Sequence, residues 1–506
     1  MNTTSHSHPA RPALDEFLGL ATPGAIVPVS VELAFDLDTP VTAYAKLSEP
    51  PFGFLLESVE GGERWARYSF LGSSPREAWR LDGDRIRVWT RGGGWGGPRA
   101  TDDPFADFER WIGRYRPAPM PDLPPFWGGA VGYFGYDTVR WLERLPGAPP
   151  DDLGVPDACF MMTERVLAID NLHSCAIAVV AVPIPGEPDA STDIESLTGS
   201  YDEARRSLES WIGRLAGAHG LRSLGVGPAA EIPTSSNRTR EDFEHAVGAI
   251  REYITAGDAY QVVVSQRAAA PTAADPLTLY RALRQSNPSP YLFFMDLDGV
   301  RLIGSSPETF VRVEAGHVTV RPIAGTRPRG ADAAEDDARE HDLLEDPKER
   351  AEHLMLVDLG RNDVSRVAEP GSVRVPLFMT VERYSHVMHL VSEVTGALRD
   401  GLTAIDAFRA CFPAGTLTGA PKVRAMENID ELEPTRRGPY GGAAGYVAFG
   451  GGSLDTAIVI RTLLSVGDTA YAQAGAGVVY DSDPSREWEE TRHKARVLLQ
   501  ALAVDQ

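Results

Sequence analysis

Two sets of carboxylates have the residue types and spacing for metal chemistry. Glu349 and Glu352 lie three residues apart in Lys348-Glu349-Arg350-Ala351-Glu352-His353, and Glu487, Glu490 and Lys494 lie at i, i+3 and i+7 near the C-terminus. On a helix each set projects from one face. Like charges at that spacing repel, and a nearby cation relieves them. Two helices each offering Glu-x-x-Glu can share one hard cation. Mg²⁺ takes one or two direct carboxylates, with waters and substrate completing its octahedron. Two solvated helix faces are the alternative that spacing alone leaves open.

The elements that must position these groups follow from the surrounding pattern. Good helix formers begin after Pro347, and Leu354, Met355, Leu356, Val357 and Leu359 form an apolar run expected to be buried. Residues 26–33, 41–47, 53–59, 68–72 and 80–91 read as strands of an antiparallel meander. Residues 107–115 and 201–216 read as helices, and residues 226–238 as a Gly/Pro/Ser/Asn-rich linker. Thr239 with Asp242 makes a capping-box start to the next helix, which Gly257 stops. Residues 260–267 form a strong strand, and Asp298-Gly299 turns a hairpin. The motif Gly-Gly-Ala-x-Gly-Tyr occurs at 128–133 and again at 441–446, which suggests two equivalent strands, one per half of the chain. Irregular alternation with many hairpins favours an α+β fold over a doubly wound parallel sheet. The expected divisions are a disordered tail over 1–20, an N-terminal lobe over 21–225 and a second lobe over 239–503.

Composition bounds the function. The chain has 506 residues, 43% hydrophobic and 24% charged, with a net charge of −22. That balance excludes a general binder of nucleic acid or anionic membranes, and an anionic substrate would need local positive charge or a metal. Cys159, Cys175 and Cys411 show no CxxC spacing, which fits a reducing cytoplasm. No apolar run reaches spanning length, and residues 1–12 lack a signal-peptide core.

Several longer motifs resemble the chorismate-utilising enzymes. They are Glu352-His353-Leu354-Met355-Leu356-Val357-Asp358-Leu359-Gly360-Arg361-Asn362-Asp363, Pro322-Ile323-Ala324-Gly325-Thr326-Arg327-Pro328, Phe412-Pro413-Ala414-Gly415-Thr416-Leu417-Thr418-Gly419-Ala420-Pro421-Lys422 and Gln473-Ala474-Gly475-Ala476-Gly477. They occur in family order over the chain from about residue 25, and the anthranilate-forming branch is nearest. The resemblance implies an α+β sandwich of antiparallel sheets flanked by helices, with a regulatory N-terminal lobe and a catalytic second lobe. It implies Glu352 and Glu490 as Mg²⁺ ligands, with Glu349 and Glu487 acting through waters. Lys494 would balance charge there. Arg461 and Tyr440 would grip the enolpyruvyl carboxylate, a task suited to the planar guanidinium. Gly325, Thr326, Gly475, Ala476 and Gly477 would contact substrate. His389 matches the acid that protonates the leaving 4-hydroxyl, while His386 reads as structural. Glu308 matches an acidic active-site position, with a structural carboxylate as the other reading.

Two positions separate the family's branches. Gln261 stands where water-adding members carry Lys, which favours ammonia as nucleophile. Ala324 stands where aminodeoxychorismate synthases carry a nucleophilic Lys. A branch that retains the pyruvyl group stays open, as does a non-catalytic tryptophan sensor. The resemblance also implies a feedback tryptophan site of Glu57, Ser58, Arg67, Pro290, Tyr291, Leu292 and Tyr446. Leu292 replaces the family's usual Met, and Ala457 a residue often Cys. No cysteine has a nucleophile-elbow context, so glutamine-dependent activity is expected to need a separate glutamine amidotransferase subunit.

Overall fold

A computed structural model describes residues 9–58, 67–186, 193–225, 232–384 and 387–503, so His386 lies outside the described residues. Among them the strands form two 13-stranded sheets. Each sheet takes one side from the first half of the chain and the other side from the second. In the first sheet the halves join where Phe52–Glu57 pairs with Tyr291–Leu297, Glu57 facing Leu292. In the second they join where Gly129–Phe134 pairs with Ala443–Ala448. These last two strands carry the repeated motif, and Gly132 faces Gly445 across the seam. A Cβ on Gly132 would stand 2.0 Å from the Cys159 carbonyl oxygen, and one on Gly445 2.1 Å from that of Asp455. The echo therefore marks two adjacent strands, each crowded by its other neighbour, Ala158–Thr163 or Leu454–Ile458, too closely for a side chain.

Phe54, Phe70 and Phe293 of the first sheet pack with Val131, Tyr133, Met161 and Ala444 of the second in one buried cluster. Helices cover the outer faces. Pro40–Leu47, Ile194–Leu215, Pro276–Ser286 and Pro484–Ala501 contribute to the cluster over the first sheet. Pro104–Ile112, Pro347–Ser365 and Ala404–Cys411 contribute to that over the second.

Three expectations are corrected. Residues 41–47 are not a strand but the helix Pro40–Leu47, because Pro40 sits at its first turn and Thr39 and Thr42 form a reciprocal capping box. Residues 9–20 are not a loose tail: Leu14–Leu20 is a helix, Phe17 is fully buried and Arg11 bridges to Ser30. The run after Glu352 is not buried throughout. Leu354 is 46% exposed, whereas His353, Leu356, Val357 and Val364 form the buried face at helical spacing. The helix Ala333–Glu345, which no apolar periodicity announced, packs Leu343 inward.

The expected local signals elsewhere hold. Thr239 and Asp242 form the capping box, and Gly257 ends that helix with φ +89°. Asp298 and Gly299 turn their hairpin with φ +54° and +93°.

Candidate active site

The helix Pro347–Ser365 begins at the N-cap Asp346, whose carboxylate accepts the Lys348 and Glu349 N–H groups. Glu349 takes a hydrogen bond from Arg327 at 3.2 Å. One turn on, Glu352 accepts the Gln261 amide at 3.1 Å. Burial pushes the Glu352 carboxyl up, the charges of Glu349 and Glu490 add to this, and the Gln261 amide opposes it. Burial also raises Glu487, with Ser482 opposing and Glu490 adding. The helix Pro484–Ala501 supplies Glu487, Glu490 and Lys494, and the Lys494 ammonium pairs with Glu490 at 2.6 Å and donates to the Gly475 carbonyl at 3.0 Å. Across the two helices the charge of Glu490 acts on Glu352 and that of Lys348 on Glu487.

No three His, Cys, Asp or Glu side chains among the described residues form a ready cage. Mg²⁺ does not require one, since waters and substrate oxygens fill most of its positions. The donor set is hard oxygen, and the neighbouring negative charges that raise Glu352 and Glu487 are what a dication relieves. The residues present fit the ion.

Arg461 lies where the chain crosses from the strand Leu454–Ile458 of the second sheet to Thr462–Val466 of the first. It adopts φ +50°, a strained conformation for a side chain of its size. Among the described residues its guanidinium has neither an ion pair nor a hydrogen bond. Burial lowers its pKa, while Tyr440 and Glu490 oppose the shift. A cleft of about 440 Å³ opens over Arg461, Glu490 and Lys494. Tyr440 is buried with its hydroxyl against Gly475, where a Cβ would stand 2.9 Å away. A Cβ on Gly477 would stand 2.6 Å from the Gln261 amide nitrogen. Gly475 and Gly477 thus share one face of the strand Thr469–Val478, and the Ala476 methyl points to the other.

Thr326 pairs with His389 across the strands Ile323–Pro328 and Val387–Ala397, with Gly325 bulged between Ala324 and Thr326. Gly325 has φ +63°, and a Cβ there would stand 3.2 Å from a Glu349 carboxylate oxygen. His389 Nδ1 lies 3.0 Å from the Gly325 carbonyl and 3.1 Å from the Thr326 hydroxyl. A carbonyl only accepts, so Nδ1 carries the proton and Nε2 is left as an acceptor. Burial lowers the His389 pKa; Gly325 opposes this and Arg461 reinforces it. Glu308 accepts the Thr416 hydroxyl at 3.0 Å, and burial pushes its carboxyl up to about 8, against Thr416 and Lys494. Arg461, Lys494, Glu308, His389 and the carboxylates all lie within electrostatic reach of another member of the set.

All seven residues of the expected tryptophan site line one cavity of about 110 Å³ at the seam of the two halves. Two of them are engaged elsewhere. Glu57 accepts the Tyr280 hydroxyl at 2.5 Å and Arg284 at 3.0 and 3.1 Å. Arg67 donates to Asp170 at 3.0 and 2.8 Å. Sequence reasoning missed Asp455, Arg312 and Arg321 on the same wall. Asp455 faces Tyr446 in register and accepts the Tyr291 hydroxyl at 2.9 Å. Its only sequence signal was its place on the strand that leads to Arg461.

Residues 101–500 match the family model described as chorismate binding enzyme. A Pseudomonas putida protein named anthranilate synthase component 1 is 50% identical over 494 residues, 97% of this chain and 98% of the relative. Its Aquifex aeolicus namesake is 44% identical over 497 residues, again 97% and 98%. The crystal structure of anthranilate synthase component I from Streptococcus pneumoniae superposes with a TM-score of 0.72 at 36% identity, covering 92% of this chain and 98% of that one. The menaquinone-specific isochorismate synthase of Escherichia coli shares the fold, with a TM-score of 0.68 at 19% identity over 97% and 99% of the chains.

Proposed function

The chain belongs to the chorismate-binding enzymes and, within them, to the anthranilate synthase component 1 group; from that premise we propose that it converts chorismate and ammonia to anthranilate, pyruvate and water as a Mg²⁺-dependent lyase of the cytoplasm, at the first step of tryptophan biosynthesis. The observation that carries this reading is Arg461. A partly buried guanidinium with no ion-paired or hydrogen-bonded anion among the described residues, set in a strained backbone beside a carboxylate cluster, suits a ligand carboxylate. Chorismate brings two, one for Arg461 and Tyr440 and one for the metal face.

Glu352 and Glu490 would hold Mg²⁺ directly, with Glu349 and Glu487 behind waters. When bound, the ion supplies charge neutralisation for the ring carboxylate and draws electron density from the ring. The remaining chemistry belongs to the protein. Ammonia adds at ring C2 while the C4 hydroxyl leaves as water, which requires a proton donor. Glu308, with its carboxyl raised to about 8, is protonated at neutral pH and suits that task. His389 was expected to be this acid. Its Nδ1–H is spent on Gly325, its pKa is lowered, and the neutral ring offers Nε2 as an acceptor. It suits the second step, in which C2 loses its proton, the C3–O bond breaks and pyruvate departs from the aromatised ring.

Gln261, held by Glu352, has no basic group to activate water, which supports ammonia as nucleophile. The relatives' designation as component 1 supports a second component, for which a glutamine amidotransferase that delivers ammonia is our reading. Tryptophan is the proposed occupant of the seam cavity and feedback inhibitor. Pro290, Tyr291, Leu292 and Tyr446 would enclose the indole, and Ser58 and Asp455 would meet the polar end. The test is anthranilate fluorescence from chorismate, ammonium and Mg²⁺. The parent chain is expected to turn over, and Arg461→Met to lose about 100-fold in kcat/KM. Equal activity in the two would remove the argument from Arg461.

A further inference from the structure

Behind Tyr440 lies an ion pair that none of the steps above uses. The Arg437 side chain is 1% exposed and that of Glu433 3%. Arg437 Nε and Nη2 donate to Glu433 at 2.9 and 2.7 Å, Nη1 to the Leu417 carbonyl at 2.6 Å and Nη2 also to the Val263 carbonyl at 2.9 Å. Glu433 in turn accepts the Ser265 N–H and hydroxyl, both at 2.8 Å. The guanidinium carbon lies 4.7 Å from the Tyr136 ring centroid and 5.7 Å from that of Tyr440.

Such a pair is a costly way to gain stability, since well-packed apolar residues of similar volume do as well. What it provides is direction. A planar fork with four fixed hydrogen bonds can stand in only one orientation, and its charged carbon is held over two tyrosine rings. The anchoring carbonyls belong to elements that reach the substrate. Val263 is on the strand that opens at Gln261 and pairs with Gly477. Leu417 closes the turn whose Thr416 holds Glu308.

We propose that Arg437 is a positioning residue for chorismate binding: clamped by Glu433, it sets the Tyr440 ring so that the hydroxyl stands over Gly475 and beside Arg461, without touching substrate itself. This rests on Tyr440 being a substrate-carboxylate group. Lysine cannot reproduce the role, because a point charge on a flexible stem can pair with Glu433 but presents no plane to Tyr440.

The test is steady-state kinetics of four chains: the parent, Arg437→Lys, Tyr440→Phe and the double variant, each with thermal melting. Arg437→Lys is expected to raise the KM for chorismate about tenfold with kcat changed far less, and to add less than about twofold in the Tyr440→Phe background. Equal factors in both backgrounds, or a lowered melting temperature with KM unchanged, overturn the proposal. A Tyr440→Phe chain with the parent's KM overturns the underlying reading of Tyr440 and this proposal with it. Should Arg437→Lys not fold, the neutral pair Arg437→Met with Glu433→Gln is compared in the same two backgrounds and judged by the same factors.

Discussion

Thr416 donates its hydroxyl to Glu308 at 3.0 Å, and with the more distant Lys494 it is what opposes the burial that holds this carboxyl at about 8. Protonated Glu308 is the proposed acid, so kcat/KM at constant free ammonia is expected to fall as pH rises through about 8. Thr416→Val removes a bond that lowers the pKa, and the basic limb should move to higher pH. A limb that stays in place, or moves down, would contradict the assignment.

The same group has a stability signature. Its folded pKa lies above the ordinary glutamate value of 4.5, so the protonated form favours the folded state. That contribution is complete below about 4.5 and is lost as pH rises through about 8. Glu308→Gln cannot ionise. Its melting temperature relative to the parent's should therefore be higher at pH 9 than at pH 5, a comparison that differential scanning calorimetry makes directly.

Arg461 combines φ +50° with a partly buried charge that has no ion pair among the described residues. Arg461→Gly relieves both, and chemical denaturation should find the variant more stable by about 1 kcal/mol while turnover is lost. A destabilised Gly variant would mean that the strain is compensated by contacts of the side chain.

Gly132, which faces Gly445 across the seam, is crowded by its neighbour within the first half, the strand Ala158–Thr163. Gly132→Ala would bring its methyl to 2.0 Å of the Cys159 oxygen. Spreading the strands at this point is expected to cost about 2 kcal/mol or more in urea unfolding. An unchanged midpoint would show that this strand pair can yield.

Asp455 is half-buried on the wall of the seam cavity, and desolvation raises its carboxyl against the opposing charge of Arg312. Asp455→Asn removes a charged partner for an amino group. Calorimetric titration should find tryptophan binding weakened about tenfold, with turnover in its absence near that of the parent. Unaltered affinity would place the amino group elsewhere.

The sequence carried much of this in local form. The capping box at Thr239, the turn at Asp298-Gly299 and the Glu-x-x-Glu pairs are written in neighbouring residues, and each appears where its spacing put it. What the sequence did not reveal depends on distant partners. Glu57 is committed to Tyr280 and Arg284, 223 and 227 positions away, so no local pattern could show that its carboxylate is occupied. The hold of Gly325 on the His389 Nδ1 proton likewise joins residues 64 positions apart, so the motif alone could not show it. Residues 41–47 carry strand-like side chains, but Pro40 and Thr39 decide for helix. Leu354 looks like core only until the buried face is seen to run through His353 and Leu356.

The most direct test of the central claim is product stoichiometry. Purified chain would be given chorismate, ammonium and Mg²⁺, and the products resolved by mass spectrometry and fluorescence. Anthranilate and pyruvate in equal amounts, both absent in Glu490→Ala, are the expected result. An aminated product that keeps its pyruvyl group, or no product at all, would contradict it.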